Sequence, residues 1–184
     1  MHRFIYLDTE TTGFSVREGH RVVELAAVEV VEGRRTGREF HTRLNPEREV
    51  PEKAVAIHGL SWDVLRASPR FADVAAEWVA FVEGAEAFAH NAPFDAKHLS
   101  AELVRAGYPE MDRLCVITDT LSLARTWNRE VPNHRLDTLL AAYGVDASAR
   151  AAGHGALIDA RLLADLHAAM VARHAPEPRR RWSP

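Results

Sequence analysis

The sequence predicts an α/β domain built on a mixed β-sheet flanked by helices. Two observations carry this. The N-terminal part of the chain is rich in β-branched residues and broken by turn signals. From Phe71 onward apolar residues recur at helical spacing, interrupted by short strand-like runs. Strands first, then strands alternating with helices, is the pattern of a mixed sheet covered by helices. At 184 residues the chain has the size of one domain with a substantial core, assigned here to residues 1–174.

The elements follow in order. Phe4–Leu7 is apolar without alternation, which predicts a short, fully buried strand ended by Thr11-Thr12-Gly13. Val22–Val31 predicts a second strand, with Glu24 and Glu29 as polar interruptions. Glu32-Gly33-Arg34 predicts a hairpin turn into a third strand around Glu39–Leu44, closed by Asn45-Pro46. Phe71, Val74, Ala75, Trp78, Val79 and Val82 mark a helix that ends at Gly84. Glu86–Ala89 predicts another strand. Asn91 and Pro93 open a helix that reaches Ala106 and stops at Gly107. Leu114–Ile117 reads as a strand, and helices follow near Asp119–Trp127 and Leu136–Tyr143. The last helix covers Ala156–Arg173, with Leu157, Leu163, Leu166 and Met170 on its buried stripe. Residues 175–184 are Pro/Arg-rich and are expected to form a disordered tail, with Arg179–Arg181 solvated.

Composition narrows the function classes. The hydrophobic fraction of 47% and charged fraction of 27% are ordinary for a globular protein. A net charge of −3 argues against nucleic-acid binding through bulk positive field alone, so metals or a local basic rim would have to supply the attraction. The single cysteine, Cys115, excludes an intramolecular disulfide and a multi-cysteine zinc cluster, and reads as a small core residue. No apolar run reaches the ~20 residues that span a bilayer. The start of the chain lacks a small-residue cleavage site, so a cytoplasmic location is expected.

The acids are the informative residues. Asp8 and Glu10 follow directly on the first strand, and strand periodicity puts both on one face. Two carboxylates at a sheet end repel each other and lose hydration, a cost offset by a cation or a proton. A pair of solvated turn acids explains them equally well. Asp95 falls in the first turn of a helix, where the macrodipole alone favours an acid. His154 and Asp159 would stand about 140° apart on a continuous helix, so they share a site only if His154 lies in the preceding loop. Gly153 and Gly155 permit that loop. The bland readings are a capping histidine and an acid on an exposed helix face. Asp119 and Asp137 each begin a helix and are read as caps. Taken together, Asp8, Glu10, Asp95, Asp159 and His154 supply the parts for two-metal phosphodiester hydrolysis, the histidine serving as general base near neutral pH.

At these residues the chain resembles the DnaQ-like (DEDDh) family of 3′→5′ exonucleases. The matching motifs are Leu7-Asp8-Thr9-Glu10-Thr11-Thr12-Gly13, His90-Asn91-Ala92-Pro93-Phe94-Asp95 and His154-Gly155-Ala156-Leu157-Ile158-Asp159-Ala160. His58-Gly59-Leu60 and Thr118-Asp119-Thr120 also resemble family landmarks. The likeness runs in order from Arg3 to Met170. Glu18-Gly19-His20, Ala27-Val28-Glu29-Val30-Val31 and Arg150 are similar to the proofreading branch associated with the bacterial replicative DNA polymerase. The resemblance implies a ribonuclease H-like fold and two Mg²⁺ or Mn²⁺ ions held by Asp8, Glu10, Asp95 and Asp159, with Asp8 shared. It makes His154 the base and places Thr11, Thr12, His58 and Phe94 on the 3′-terminal nucleotide, with Asn91 supporting the site. The implied partners are DNA 3′ ends and the catalytic subunit of the replicative DNA polymerase. Residues 171–184 contain no Gln-led hydrophobic clamp motif and are too short for a polymerase-binding tail, so the polymerase partnership is less secure than the activity. Two other readings stay open. One is an RNA 3′→5′ exonuclease of the ribonuclease T or oligoribonuclease kind, since reading the 2′-hydroxyl is what separates RNA from DNA. The other is a non-catalytic nucleic-acid-binding module on the same fold.

Overall fold

The first strand extends beyond its apolar run. β1 (Arg3–Thr11) pairs antiparallel with β2 (Val22–Val31), from Arg3 opposite Val31 to Thr11 opposite Val22. Asp8 and Glu10 therefore lie inside the strand and not after it, because the backbone ladder continues where the side chains turn polar. β3 (Arg34–Arg43) also begins earlier than Glu39. It forms one edge of the sheet and its first half is exposed, so no apolar pattern announces it. The computed structural model describes residues 2–152 and 155–174; His154 and the segment 175–184, expected as a tail, lie outside the described residues.

The remaining strands, β4 (Glu86–Ala89) and β5 (Val116–Asp119), add in parallel on the other side of β1. The sheet order is β3-β2-β1-β4-β5, the mixed arrangement that the alternation of elements predicts. The helices are α1 (Glu52–His58), α2 (Trp62–Leu65), α3 (Phe71–Val82), α4 (Ala92–Arg105), α5 (Met111–Leu114), α6 (Thr120–Trp127), α7 (Leu136–Tyr143) and α8 (Ala156–His174). β5 starts after Leu114 because α5 takes that residue first. α1 and α2 had no sequence signal, being too short to show a period. They cover one patch of the sheet, where Val23 meets Val50, Ala54, Leu60 and Leu65.

Alternation along β1 and β2 separates two cores. On one face Ile5, Leu7, Leu25 and Ala27 pack against Trp78 of α3 and Leu99 and Leu103 of α4, with Cys115 buried at the margin. On the other, Tyr6, Val28, Val30 and Phe88 meet Ala160, Leu163 and Ala164 of α8. A third cluster joins the far side of α8, through Leu162, Leu166 and Met170, to Leu139, Leu140 and Tyr143 of α7. α8 is thus packed on two sides, which fixes its direction under the sheet.

Buried charge ties these layers together. Glu102 of α4 is 2% exposed and is gripped by Arg21, with Nε at 2.6 Å and Nη2 at 2.8 Å, while the Val22 amide also donates to it. That pair fastens α4 to the start of β2. The two acids read as interruptions of the second strand, Glu24 and Glu29, are both buried, and Glu29 is satisfied by Arg3, Thr36 and Arg38. A buried carboxylate needs such partners to stay ionised.

Candidate active site

Asp8 and Glu10 project from β1 toward the face covered by α8. Their cross-strand partners are Ala26 and Glu24. Ala26, fully buried, adds no bulk beneath Asp8. The helix α8 brings Asp159, 8% exposed, to the same face, so it is not the exposed helix-face acid of the bland reading. Asp95 arrives from α4 and is 4% exposed; the Thr9 hydroxyl donates to its Oδ1 at 2.7 Å. A macrodipole role alone does not require such burial.

The start of α4 is positioned from outside the helix. Asn91 adopts a left-handed conformation (φ 73°), and the Asp119 carboxylate accepts from the amides of Asn91 and Ala92 at 3.0 and 3.1 Å. The same carboxylate accepts from the amides of Leu121 and Ser122 at the start of α6. Burial pushes the Asp119 carboxyl up, but hydrogen bonds from Ser122, Ala92, Leu121 and Asn91 outweigh it and hold the group below its usual range. Asp119 is therefore a cap, as its position implies, and it caps two helices at once. Asp137 is not. The residue ahead of α7 is Arg135, which makes no side-chain cap, and Asp137 instead pairs with Arg150.

Arg150 also binds Asp159 in fork fashion, with Nε at 2.7 Å and Nη2 at 2.6 Å from its two oxygens. Even so, negative charge dominates the site. Burial, followed by the charges of Asp95, Asp159 and Glu10, holds the Asp8 carboxyl well above the usual carboxylate range, and Arg150 only partly opposes this. Burial, with Glu24, Asp159 and Asp95, pushes Glu10 up to about 7. Burial raises Asp95 to about 7 against the lowering effect of the Thr9 hydrogen bond.

This donor set suits a hard divalent cation, which takes carboxylate oxygens and water. Among the described residues, however, no three His, Cys, Asp or Glu side chains already stand as a ligand cluster. The hydrogen bonds explain why: Arg150 takes both oxygens of Asp159, and Thr9 takes one of Asp95. Carboxylates gathered by burial disfavour their own ionisation, and a cation is one way to offset that cost.

The other candidate residues surround this centre. Thr11 donates to the Gly13 carbonyl, and Thr12, 1% exposed, bonds the His20 ring and the Arg21 amide. Both hydroxyls are thus spent on shaping the turn. That turn needs glycine, since a Cβ on Gly13 would lie 2.4 Å from the His20 ring. His58, at the end of α1, accepts the Leu60 amide on Nδ1, while its buried Nε2 has no hydrogen-bond partner among the described residues. Phe94 packs edge-on to Phe14, which is 85% exposed. Asn91, Phe94 and Phe14 line an open groove of about 1150 Å³ that continues along α4 past Lys97. Asp8, Glu10, Asp95 and Asp159 do not line it, so this groove is not the pocket of the acids. Sequence reading missed Thr9 and Glu24 as site residues, and noted Arg150 only as a likeness.

The family model for exonucleases matches residues 5–167. The chain belongs to the DnaQ-like exonuclease family. It is 42% identical over 176 residues to the DNA polymerase III subunit epsilon of Escherichia coli, covering 91% of this chain and 71% of that one. The corresponding subunit of Rickettsia felis is 42% identical over 167 residues, covering 90% and 72%. Among solved structures, exonuclease I superposes with a TM-score of 0.82 at 20% identity, over 95% of this chain. E. coli exonuclease I in complex with a dA16 oligonucleotide superposes at 0.81 with 19% identity, over 95% of this chain. The chain spans about two fifths of exonuclease I, 42% in both cases, so that likeness shows the fold, the ribonuclease H-like sheet expected from the motifs. Members of this family are metal-dependent 3′→5′ exonucleases. Among the described residues no helix is long and apolar enough to cross a membrane.

Proposed function

We propose that this chain releases nucleoside 5′-monophosphates from DNA 3′ ends, with Asp8, Glu10, Asp95 and Asp159 as ligands for two Mg²⁺ or Mn²⁺ ions and His154 as general base. The observation that carries the reading is the convergence of Asp8, Glu10, Asp95 and Asp159 where β1, α4 and α8 meet, a negative charge that Arg150 only partly compensates. The bound ions supply the Lewis acidity and the activated water of two-metal hydrolysis. Asp8 would be the ligand shared between the ions, as the family resemblance implies, and it lies within electrostatic reach of Asp95, Asp159 and Glu10. His154 takes the proton of the attacking water as the new oxygen–phosphorus bond forms and the bond to the 3′ oxygen breaks. The departing 3′ oxygen takes a proton from solvent, so the shortened strand keeps a free 3′-hydroxyl.

The surroundings support a nucleotide at this point. The buried Nε2 of His58, without a partner among the described residues, offers a hydrogen bond to the terminal residue, and Phe94 and Phe14 offer aromatic faces for its base. Thr11 and Thr12 act by holding the turn on which that nucleotide rests, and Asn91 by setting the start of α4. DNA is favoured over RNA because the similar subunits are named for DNA polymerase III, and the same names make the polymerase catalytic subunit the proposed partner. Mismatches would be selected because a frayed terminus reaches the acids at lower cost. A cytoplasmic location fits this role.

The deciding experiment is a digestion series with Mg²⁺ on a mismatched primer-template and on single-stranded RNA. We expect 5′-monophosphates from the DNA and none in EDTA. Faster digestion of the RNA would favour the ribonuclease reading, and undiminished cleavage in EDTA would remove the metals. His154→Ala is expected to lower kcat about 100-fold, on the scale of a lost general base, and to abolish the limb of the pH–rate profile that depends on a neutral imidazole. An unchanged profile would assign the base elsewhere.

A further inference from the structure

We propose that Arg150 is the resident counter-ion of the acids, which a divalent cation displaces from Asp159, and that Asp137 is a positioning residue that keeps hold of the displaced guanidinium. This rests on the reading of Asp159 as a metal ligand.

Arg150 lies in the short helical turn Ser148–Ala152 ahead of α8. Its Nε and Nη2 donate to the two oxygens of Asp159 at 2.7 and 2.6 Å, and its Nη1 donates outward to Oδ1 of Asp137 in the first turn of α7. The Arg150 side chain is 12% exposed and that of Asp137 is 70% exposed. One guanidinium therefore spans from a buried acid of the site to an acid in solvent.

Space alone does not close Asp159 to an ion, because an ionised carboxylate offers about four lone-pair positions and the fork uses two. Charge decides. A guanidinium does not give up its proton in a protein, so it cannot become neutral to make room for a second cation. It already acts on the neighbouring acids, since its charge lowers the Asp8 and Glu10 carboxyls against the effect of burial. An incoming ion thus meets a like charge in direct contact with Asp159, and the two compete. Release of Arg150 would cost less if one of its ion pairs survived. The bond to Asp137 is that pair, because it uses a different nitrogen from the fork and points away from the acids. Nothing else among the described residues employs Asp137: it caps no helix, and Arg150 is its one side-chain partner.

The measurement is calorimetric titration with Mn²⁺ alone, without nucleic acid, at pH 8, above the values of about 7 for Glu10 and Asp95. Arg150→Gln is expected to bind Mn²⁺ about tenfold more tightly, within the range of coupling between charged residues in contact, while its melting temperature in EDTA falls. That opposition of signs separates a competing counter-ion from a brace of the fold, whose loss would weaken or leave unchanged both properties. Asp137→Asn is expected to weaken Mn²⁺ binding about threefold, the scale of an exposed ion pair, and to have no effect in an Arg150→Gln background. If Arg150→Gln does not fold in EDTA, Arg150→Lys, which keeps the charge but cannot form the fork, should still bind Mn²⁺ more tightly than the parent. Unchanged or weaker Mn²⁺ binding without the Arg150 fork overturns the proposal. So does an Asp137→Asn protein with unchanged affinity, or with a loss that persists without Arg150, since the latter would be a simple field effect of the lost charge. Those results leave the metal-ligand reading standing. Mn²⁺ affinity that is unchanged in Asp159→Asn overturns both.

Discussion

Asp8→Asn is expected to abolish hydrolysis and, in the same protein, to raise the stability of the metal-free fold. Both effects have one cause. Asp8 extends from a strand whose neighbours are buried and is pressed by Asp95, Asp159 and Glu10, so its ionised form is disfavoured in the folded chain. Asparagine keeps the shape and removes the charge. Activity should fall by roughly three orders of magnitude or more, the scale of deleting one member of a unit that acts together. Melting in EDTA at pH 8 should show a gain of about 1–2 kcal/mol, as expected when a functional residue is held at a cost to stability. The melting measurement discriminates between roles. If Asp8 were a solvated turn acid, its loss would leave stability within about 0.5 kcal/mol and activity near normal. A destabilised, inactive variant would show that Asp8 holds the fold together, which would remove the electrostatic argument for the site.

How far the site was legible follows from what each residue's neighbours are. Asp8 and Glu10 could be placed on one face because strand periodicity is local, even though the strand proved longer than its apolar run. Asp95 and Asp159 were ambiguous by themselves, since the first turn of a helix welcomes an acid and an exposed helix face would also explain Asp159; their burial to 4% and 8% exposure depends on which strands they pack against. Glu24 was legible only as an interruption of an apolar strand, because its partner Ala156 is remote in sequence. Thr9 points to the opposite face of β1 from Asp8, the face on which α4 packs, and so reaches Asp95, a contact that depends on how α4 sits against β1. Asp137 illustrates the converse. Its place at a helix start predicted a cap, and the tertiary contact with Arg150 took precedence. The long helices α3, α4 and α8 announced themselves through period and stop signals, whereas α1, α2 and the exposed half of β3 had too few apolar residues to do so.

The stabilisation conferred by Mg²⁺ or Mn²⁺ should grow steeply as the pH rises from about 5 to 8. Glu10 and Asp95 have folded-state values near 7, above the ordinary 4.5 and 3.8. A carboxylate raised on folding binds more protons in the folded chain than in the unfolded one between those two values. Stability then falls as pH rises through that window. For Glu10 alone the loss is about 3 kcal/mol at about 1.36 kcal/mol per unit. Ions that hold the ionised carboxylates remove this penalty, and they compete with fewer protons as pH rises. Other groups would blur a simple melting curve. Burial depresses His58, His90 and His167, which makes the fold more stable as pH rises toward 6.5. Glu29 and Glu39 are held below the usual range despite some burial, and act only in more acid solution. The quantity to measure is therefore the difference between melting with Mn²⁺ and melting in EDTA at each pH, in which those common contributions cancel. That difference should be small near pH 5, large near pH 8, and flatter in Asp8→Asn. A difference independent of pH would mean that the acids are already ionised without metal, and that Arg150 and water suffice to hold them.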